Sequence, residues 1–291
     1  MNILLYAKIV RAHALPLSIL PVLSCFFYAK YNYGTVNTKA ILFIGLAAVL
    51  FHLATNSISE YRDFCKNIDD PSSEFPRYKL IKCGCLDIKP RNILLIGWGA
   101  FFLASIFGII AVFCSSIVIL FSGLLGAALS LFYSEWPIGY KYRAFGELAV
   151  FAAFGPVLVF SCIFALTHRF GVNDLIFSLP IGLLATSVLV ANNIRDYSYD
   201  CGRIKTLATI LGLKLTYALL FFVVNLAFLL VPILIYTKSL PKSCLSVLLA
   251  YPLLFLSINR VGTPKFIDIF GMLYVAYCAF LCSVLFIALI N

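Results

Sequence analysis

The chain has 291 residues, of which 63% are hydrophobic and 12% charged, about half the charged share of a soluble domain. Its mean hydropathy of +1.02 leaves too little polar surface to coat a globule in water, so lipid is the medium expected to cover most of it. The net charge of +10 lies in short gaps between apolar runs, which excludes a nucleic-acid footprint and points to membrane topology.

At the start, Lys8, Arg11 and His13 lead straight into an apolar run with no small-residue cleavage site, so no cleavable leader is expected. A helix needs about 20 apolar residues to cross roughly 30 Å of hydrocarbon. Candidate spans run Ala12 to Ala29, Ala40 to Ser59, Asn92 to Ser134, Leu148 to Thr167, Leu175 to Ile194, Leu215 to Thr237, Ser243 to Asn259 and Ile269 to Asn291. The third is about twice the needed length, so it is expected to be a hairpin of two helices turning near Cys114, Ser115 and Ser116. That makes about nine spans, or eight if the short stretch carrying Pro252 does not cross. Of the ten cysteines, Cys25, Cys114, Cys162, Cys278 and Cys282 sit inside apolar runs as small hydrophobes. Cys83 and Cys85 have no partnering His, so no zinc site is expected.

With the N-terminus inside, 17 of the 22 lysines and arginines fall on the cytoplasmic side. Only Lys30, Lys39, Arg169, Lys238 and Lys242 remain outside, which follows the positive-inside rule. Of the 12 Asp and Glu residues, Glu60, Asp63, Asp69, Asp70, Glu74 and Asp87 follow the second span, and Asp196 and Asp200 follow the sixth. An even number of spans separates these two groups, so they share one face of the membrane whichever way the chain is inserted.

Asp196 and Asp200 are four apart, so on a helix their side chains emerge one above the other, with Cβ atoms about 5–6 Å apart. Two like charges there repel unless a cation bridges them, and carboxylates beside a membrane span usually mark function. Asn192, Asn193, Arg195, Arg203 and Lys205 flank the pair, a mixture that suits a hard cation such as Mg2+ together with a phosphate. A weak internal repeat matches Asn56 to Tyr61 with Asn192 to Tyr197. Two four-helix halves, each donating an acidic helix end, with a ninth helix appended, would place a central cavity between them. The fold expected is an all-α polytopic membrane protein forming a single domain over residues 1–291.

These residues resemble the UbiA superfamily of intramembrane aromatic prenyltransferases. Asn192 through Asp200, followed by Thr206, Leu207 and Ala208, is similar to the second aspartate motif of that family. Tyr133, Gly139 to Tyr142, Gly146 to Leu148 and Phe154 to Pro156 are similar to the region that marks its MenA-type branch, which acts on 1,4-dihydroxy-2-naphthoate. Arg11 to Pro16 looks like the opening element, with its proline displaced. Asp63 to Asp69 resembles the end of the first motif, but Ser59 and Glu60 stand where the family carries Asn and often Asp, and Asn56 lies one turn earlier on the same helical face. The second motif is one residue shorter than usual between Asp200 and Thr206 and lacks the common glycine-lysine pair.

The resemblance implies transfer of a polyprenyl group from an allylic diphosphate to an aromatic quinone precursor, in a bacterial inner membrane with the site facing the cytoplasm. It implies Mg2+ held by donors drawn from Asn56, Glu60, Asp63, Asp69, Asp196 and Asp200, and a diphosphate gripped by Lys66, Arg77, Asn192, Arg195 and Lys205. Lys141 and Tyr133 join the three central aspartates as catalytic candidates, and Tyr61 and Tyr197 are further aromatic faces for an allylic cation. Other acceptors, such as 4-hydroxybenzoate or homogentisate, a non-catalytic prenyl-lipid binder and a transporter are the alternatives. A transporter's coupling site normally lies near the bilayer midplane, whereas these carboxylates sit at span ends.

Overall fold

The computed structural model describes residues 11, 14–66, 68, 90–258 and 265–290. They form helices, with no strand among the described residues. Helix α1 is Pro16–Tyr33, α2 Lys39–Cys65, α3 Pro90–Cys114 and α4 Val118–Leu131. After a 3-10 turn at Tyr140–Tyr142 come α5, Gly146–Thr167, and α6, Val172–Asp200. The short α7, Leu207–Leu211, leads into α8, Leu213–Tyr236; a 3-10 stretch at Lys242–Ala250 precedes α9, Leu253–Ile258, and α10, Lys265–Ile290, closes the fold.

Six of these helices, α2, α3, α5, α6, α8 and α10, are long and apolar enough to cross a membrane. The expected count of nine therefore depends on three shorter or less apolar segments: α1, α4 and the pair of turns from Lys242 to Ile258. That last segment is not one α-helix. Pro252 has no N–H to donate, and the chain winds as 3-10 helix before it. A 3-10 helix rises about 2.0 Å per residue against about 1.5 Å for an α-helix, so this 17-residue stretch reaches roughly the thickness of the hydrocarbon layer.

The long apolar run does fold as a hairpin at Cys114, Ser115 and Ser116. Ser116 Oγ accepts from the Val118 N–H at 3.2 Å and starts α4, while Ser115 Oγ donates to the Ala165 carbonyl at 3.1 Å. Exposed Phe102, Ile106, Phe113, Phe121 and Leu124 cover the outer sides of α3 and α4, where lipid replaces water as solvent.

Helix α2 packs along α3, and α6 packs along α8, so the second helix of each half leans on its successor. Helix α10 packs against α1 and α6. The α5 to α6 crossing is closest where two glycines meet: a Cβ on Gly182 would lie 2.8 Å from the Phe151 carbonyl oxygen, and one on Gly155 3.0 Å from the Gly182 Cα. Gly155 breaks the regular helix in a π-turn just before Pro156 and so bends α5.

Candidate active site

The ends of α2 and α6 and the connection between α4 and α5 lie together on one face. On α2, Asn56 and Ser59 line a cavity of about 800 Å³, and Asp63, one turn beyond Ser59, is buried at 2% exposure. Asp63 accepts from the Tyr142 hydroxyl at 2.8 Å and pairs with Lys141, whose ammonium also donates to Ser59 Oγ at 3.1 Å. Glu60 is equally buried and pairs with Arg11 at 3.5 Å. On α6, Asn192, Arg195 and Asp196 line the same cavity, and the Arg195 guanidinium pairs with Asp196. Asp200 is buried one turn further on, with Asp196, Lys141, Asp63 and Arg195 as its charged neighbours. The two acidic ends expected from the sequence are thus brought to one place, with Lys141 between them.

Helical spacing explains this placement. Residues 56, 59 and 63 share a face of α2, as do 192, 196 and 200 on α6. Lys141 is aimed differently, by a folded-back connection. Gly139 takes a left-handed conformation (φ 56°), and the Tyr140 and Lys141 N–H groups donate to the carbonyls of Phe132 and Tyr133 at 3.0 and 2.9 Å. Burial by itself would lower the Lys141 pKa, but the Asp63 carboxylate and the Tyr133 hydroxyl together outweigh it, and the ammonium is held above the ordinary lysine value. Burial pushes the Tyr133 hydroxyl up as well, so it stays neutral at the cavity wall.

The cavity has a polar end formed by Arg11, Tyr133, Lys141, Asn192, Arg195 and Asp196. Its other walls are mostly apolar, with Ile44, Phe51, Phe154, Leu158 and Leu189 among them. Such a space takes a molecule with a charged head and a hydrocarbon tail.

Lys66 and Lys205 do not line this cavity. With Arg203, Tyr142 and Thr209 they border a second one of about 980 Å³. Tyr142 joins the two: its hydroxyl holds Asp63, and the Lys66 ammonium sits 3.5 Å above its ring. Burial lowers the Lys66 pKa despite the nearby Asp63. Tyr61 and Tyr197 line neither cavity and instead meet Cys65 and Cys201 in matching i, i+4 pairs, a further sign of the internal repeat. Asp69 and Arg77 lie outside the described residues.

Four further residues belong to the site without being site candidates in the sequence, although Tyr142 and Glu147 lie in the stretches that mark the MenA-type branch. Tyr142 sits in a 3-10 turn, where no periodicity marks it. Asp268, on the first turn of α10, reaches the cavity from a helix without any aspartate motif. His52 shares a 2.8 Å hydrogen bond with Ser18 deeper along the wall. Glu147, buried at the start of α5, accepts from Asn193 Nδ2 at 2.6 Å.

Among the described residues no three His, Cys, Asp or Glu side chains form a closed metal cage. The donors at the junction are carboxylates and amides from two helices, hard oxygen ligands of the kind Mg2+ takes one or two at a time, completing its shell with water and phosphate oxygens. The donor set therefore fits Mg2+.

Residues 18–265 match the model of the UbiA prenyltransferase family. The chain belongs to this family. A UbiA-family relative, the 1,4-dihydroxy-2-naphthoate octaprenyltransferase of Bacillus subtilis, is 30% identical over 208 residues, 71% of this chain and 66% of that protein; the chain thus spans just under two thirds of its length. The UbiA prenyltransferase domain-containing protein 1 of Danio rerio is 28% identical over 85% of this chain and 74% of its own. The fold is shared with solved UbiA homologues. One from Aeropyrum pernix superposes with a TM-score of 0.70 at 12% identity, covering 95% of this chain and 98% of that one. One from Archaeoglobus fulgidus, bound to DMAPP and Mg2+, gives 0.62 at 15% identity over 96% and 99%.

Proposed function

We propose that this integral membrane protein transfers a polyprenyl group from an allylic polyprenyl diphosphate to 1,4-dihydroxy-2-naphthoate in menaquinone biosynthesis. The observation that carries this reading is the meeting of two acidic helix ends at the polar mouth of an otherwise apolar cavity. The relatives named for this reaction support the choice of acceptor, and the fold neighbours bound to Mg2+ with DMAPP or GPP support the choice of donor and metal.

In this reading the diphosphate enters the polar end and the prenyl tail lies along the apolar walls. Asp63, Asp196 and Asp200, with Asn56, Glu60 and Asp69 close by in sequence, are the groups that would hold Mg2+, which when bound neutralises charge on the leaving diphosphate. Lys141 and Arg195 face the same end of the cavity and stabilise negative charge developing on that group as the carbon–oxygen bond ionises. Lys66 and Lys205 border the second cavity, and with Asn192 and Arg77, the latter outside the described residues, they complete the proposed diphosphate-binding set. The Tyr133 ring lines the wall where an allylic cation would form and offers it a π-face. Apolar walls exclude water, which would otherwise capture that cation. A single membrane domain does this work, in a bacterial inner membrane with the polar end toward the cytoplasm.

The test is a product assay on purified protein in detergent with Mg2+ and a polyprenyl diphosphate, offered the naphthoate, 4-hydroxybenzoate and homogentisate in competition. Prenylated naphthoate is expected as the main product, lost on adding EDTA and regained with excess Mg2+. Preference for a single-ring acceptor would reassign the substrate. No product with any acceptor, or substrate flux across liposomes, would reject the enzyme reading.

A further inference from the structure

Glu135 is a buried carboxylate that lines neither cavity. Both its oxygens are engaged by Arg62: Nε donates to Oε1 at 2.7 Å and Nη2 to Oε2 at 2.6 Å. A two-point pair of this kind fixes orientation as well as distance. Arg62 immediately precedes Asp63 on α2. Glu135 begins the turn that aims Lys141 and Tyr142 back at Asp63, and its own carbonyl accepts from the Gly139 N–H at 2.9 Å. The same connection is tied at its far side to α6 and the segment after it. The Ala144 N–H donates to the Lys205 carbonyl at 2.8 Å, and Glu147 accepts from Asn193. The α4 to α5 connection therefore spans the gap between the two acidic ends, anchored to α6 on one side and clamped to α2 by Arg62 and Glu135 on the other.

We propose that Arg62 and Glu135 form a positioning pair that sets the separation of the two acidic helix ends, and with it the grip on the diphosphate. The second clause rests on the prenyl-transfer reading; the first does not. Loss of the pair removes no catalytic side chain but lets the α2 end, and Asp63 with it, move relative to the connection. The cost then falls on binding of the diphosphate head and leaves the acceptor untouched.

Exposed Cys65 and Cys201 lie just past the two ends and can carry spin labels. In the full-length protein, with other reactive cysteines replaced by serine, the label-to-label distance distribution is expected to be narrow. It should broaden or shift in the isosteric variant Glu135→Gln and return in the swap Arg62→Glu with Glu135→Arg. In the product assay Glu135→Gln should raise KM for the polyprenyl diphosphate about tenfold with the acceptor KM unchanged, and the swap should recover most of this. A distance distribution unaltered by Glu135→Gln overturns the proposal even in a preparation that makes no product, so its failure is distinct from that of the prenyl-transfer reading. If Glu135→Gln does not fold, the swap decides alone, and a swap unlike the wild type overturns the pair.

Discussion

Asp63 has one oxygen on Tyr142 and the other on Lys141, while Glu60, one turn before it, is turned to Arg11. The two acids of the first motif are therefore unequal. Asp63→Asn is expected to lower turnover on the order of 100-fold, as loss of a group that stabilises developing charge does, and Glu60→Gln considerably less; steady-state rates on the two variants check this. The reverse order would place the working register one turn earlier, on Asn56 and Glu60. Removing Lys141 alone should be costly in a second way, because it strands the buried Asp63 charge. Lys141→Met is expected to destabilise the protein by about 3–5 kcal/mol, and addition of Asp63→Asn should restore most of that in thermal unfolding in detergent. The two lysines should also part at alkaline pH. The Lys141 pKa is raised, so stabilisation from its pair with Asp63 is fully present below the unfolded lysine value of about 10.4 and is lost only as pH climbs through the higher folded value. The Lys66 pKa is lowered, so its charge is lost first. Lys66→Arg should extend the alkaline limb of kcat/KM upward, and an unchanged limb would remove Lys66 from diphosphate binding.

At the level of elements, the bend in α5 and its contact with α6 shape the cavity. Gly155 and Gly182 let the two backbones touch, and the Phe151 carbonyl leaves no room for a methyl group on Gly182. Gly182→Ala should destabilise the fold by about 1–3 kcal/mol through overpacking, measurable by thermal unfolding. Gly99, where a Cβ meets nothing within 4 Å, should accept the same change readily. Hairpin α3 to α4 is readable from the chain because two serines interrupt an apolar run, and the second of them, Ser116, accepts from the Val118 N–H at the start of α4. The stretch after Lys242 reads as a helix by its hydropathy, yet it winds as 3-10 structure before Pro252, since apolar length alone does not say how tightly a chain is wound.

At the scale of the whole molecule, the meeting of the α2 and α6 ends requires an even number of crossings between them, and so requires the short α4 to cross along with α3, α5 and α6. Cys65 and Cys201 should both react with a membrane-impermeant maleimide from the same side of sealed vesicles, and reaction from opposite sides would rule out a shared site. Residence in lipid, the place where the hairpin turns and the gathering of eight of twelve carboxylates near one membrane face are all legible in the amino-acid order, because hydropathy and the spacing of charges act locally along a chain. The pairing of Asp196 with Asp200 is legible too, through helical spacing, which places side chains on a common face without reference to anything else, whereas Asn56, Asp63 and Asn192 enter through the family resemblance. Packing alone established that Lys141 and Tyr142 meet Asp63, that Lys66 and Lys205 border a second cavity, and that Arg62 clamps Glu135. Those contacts join residues 73 to 79 positions apart, or separate elements altogether. They arise from a connection with no regular period, whose path is fixed by hydrogen bonds that form once the helices on either side have packed.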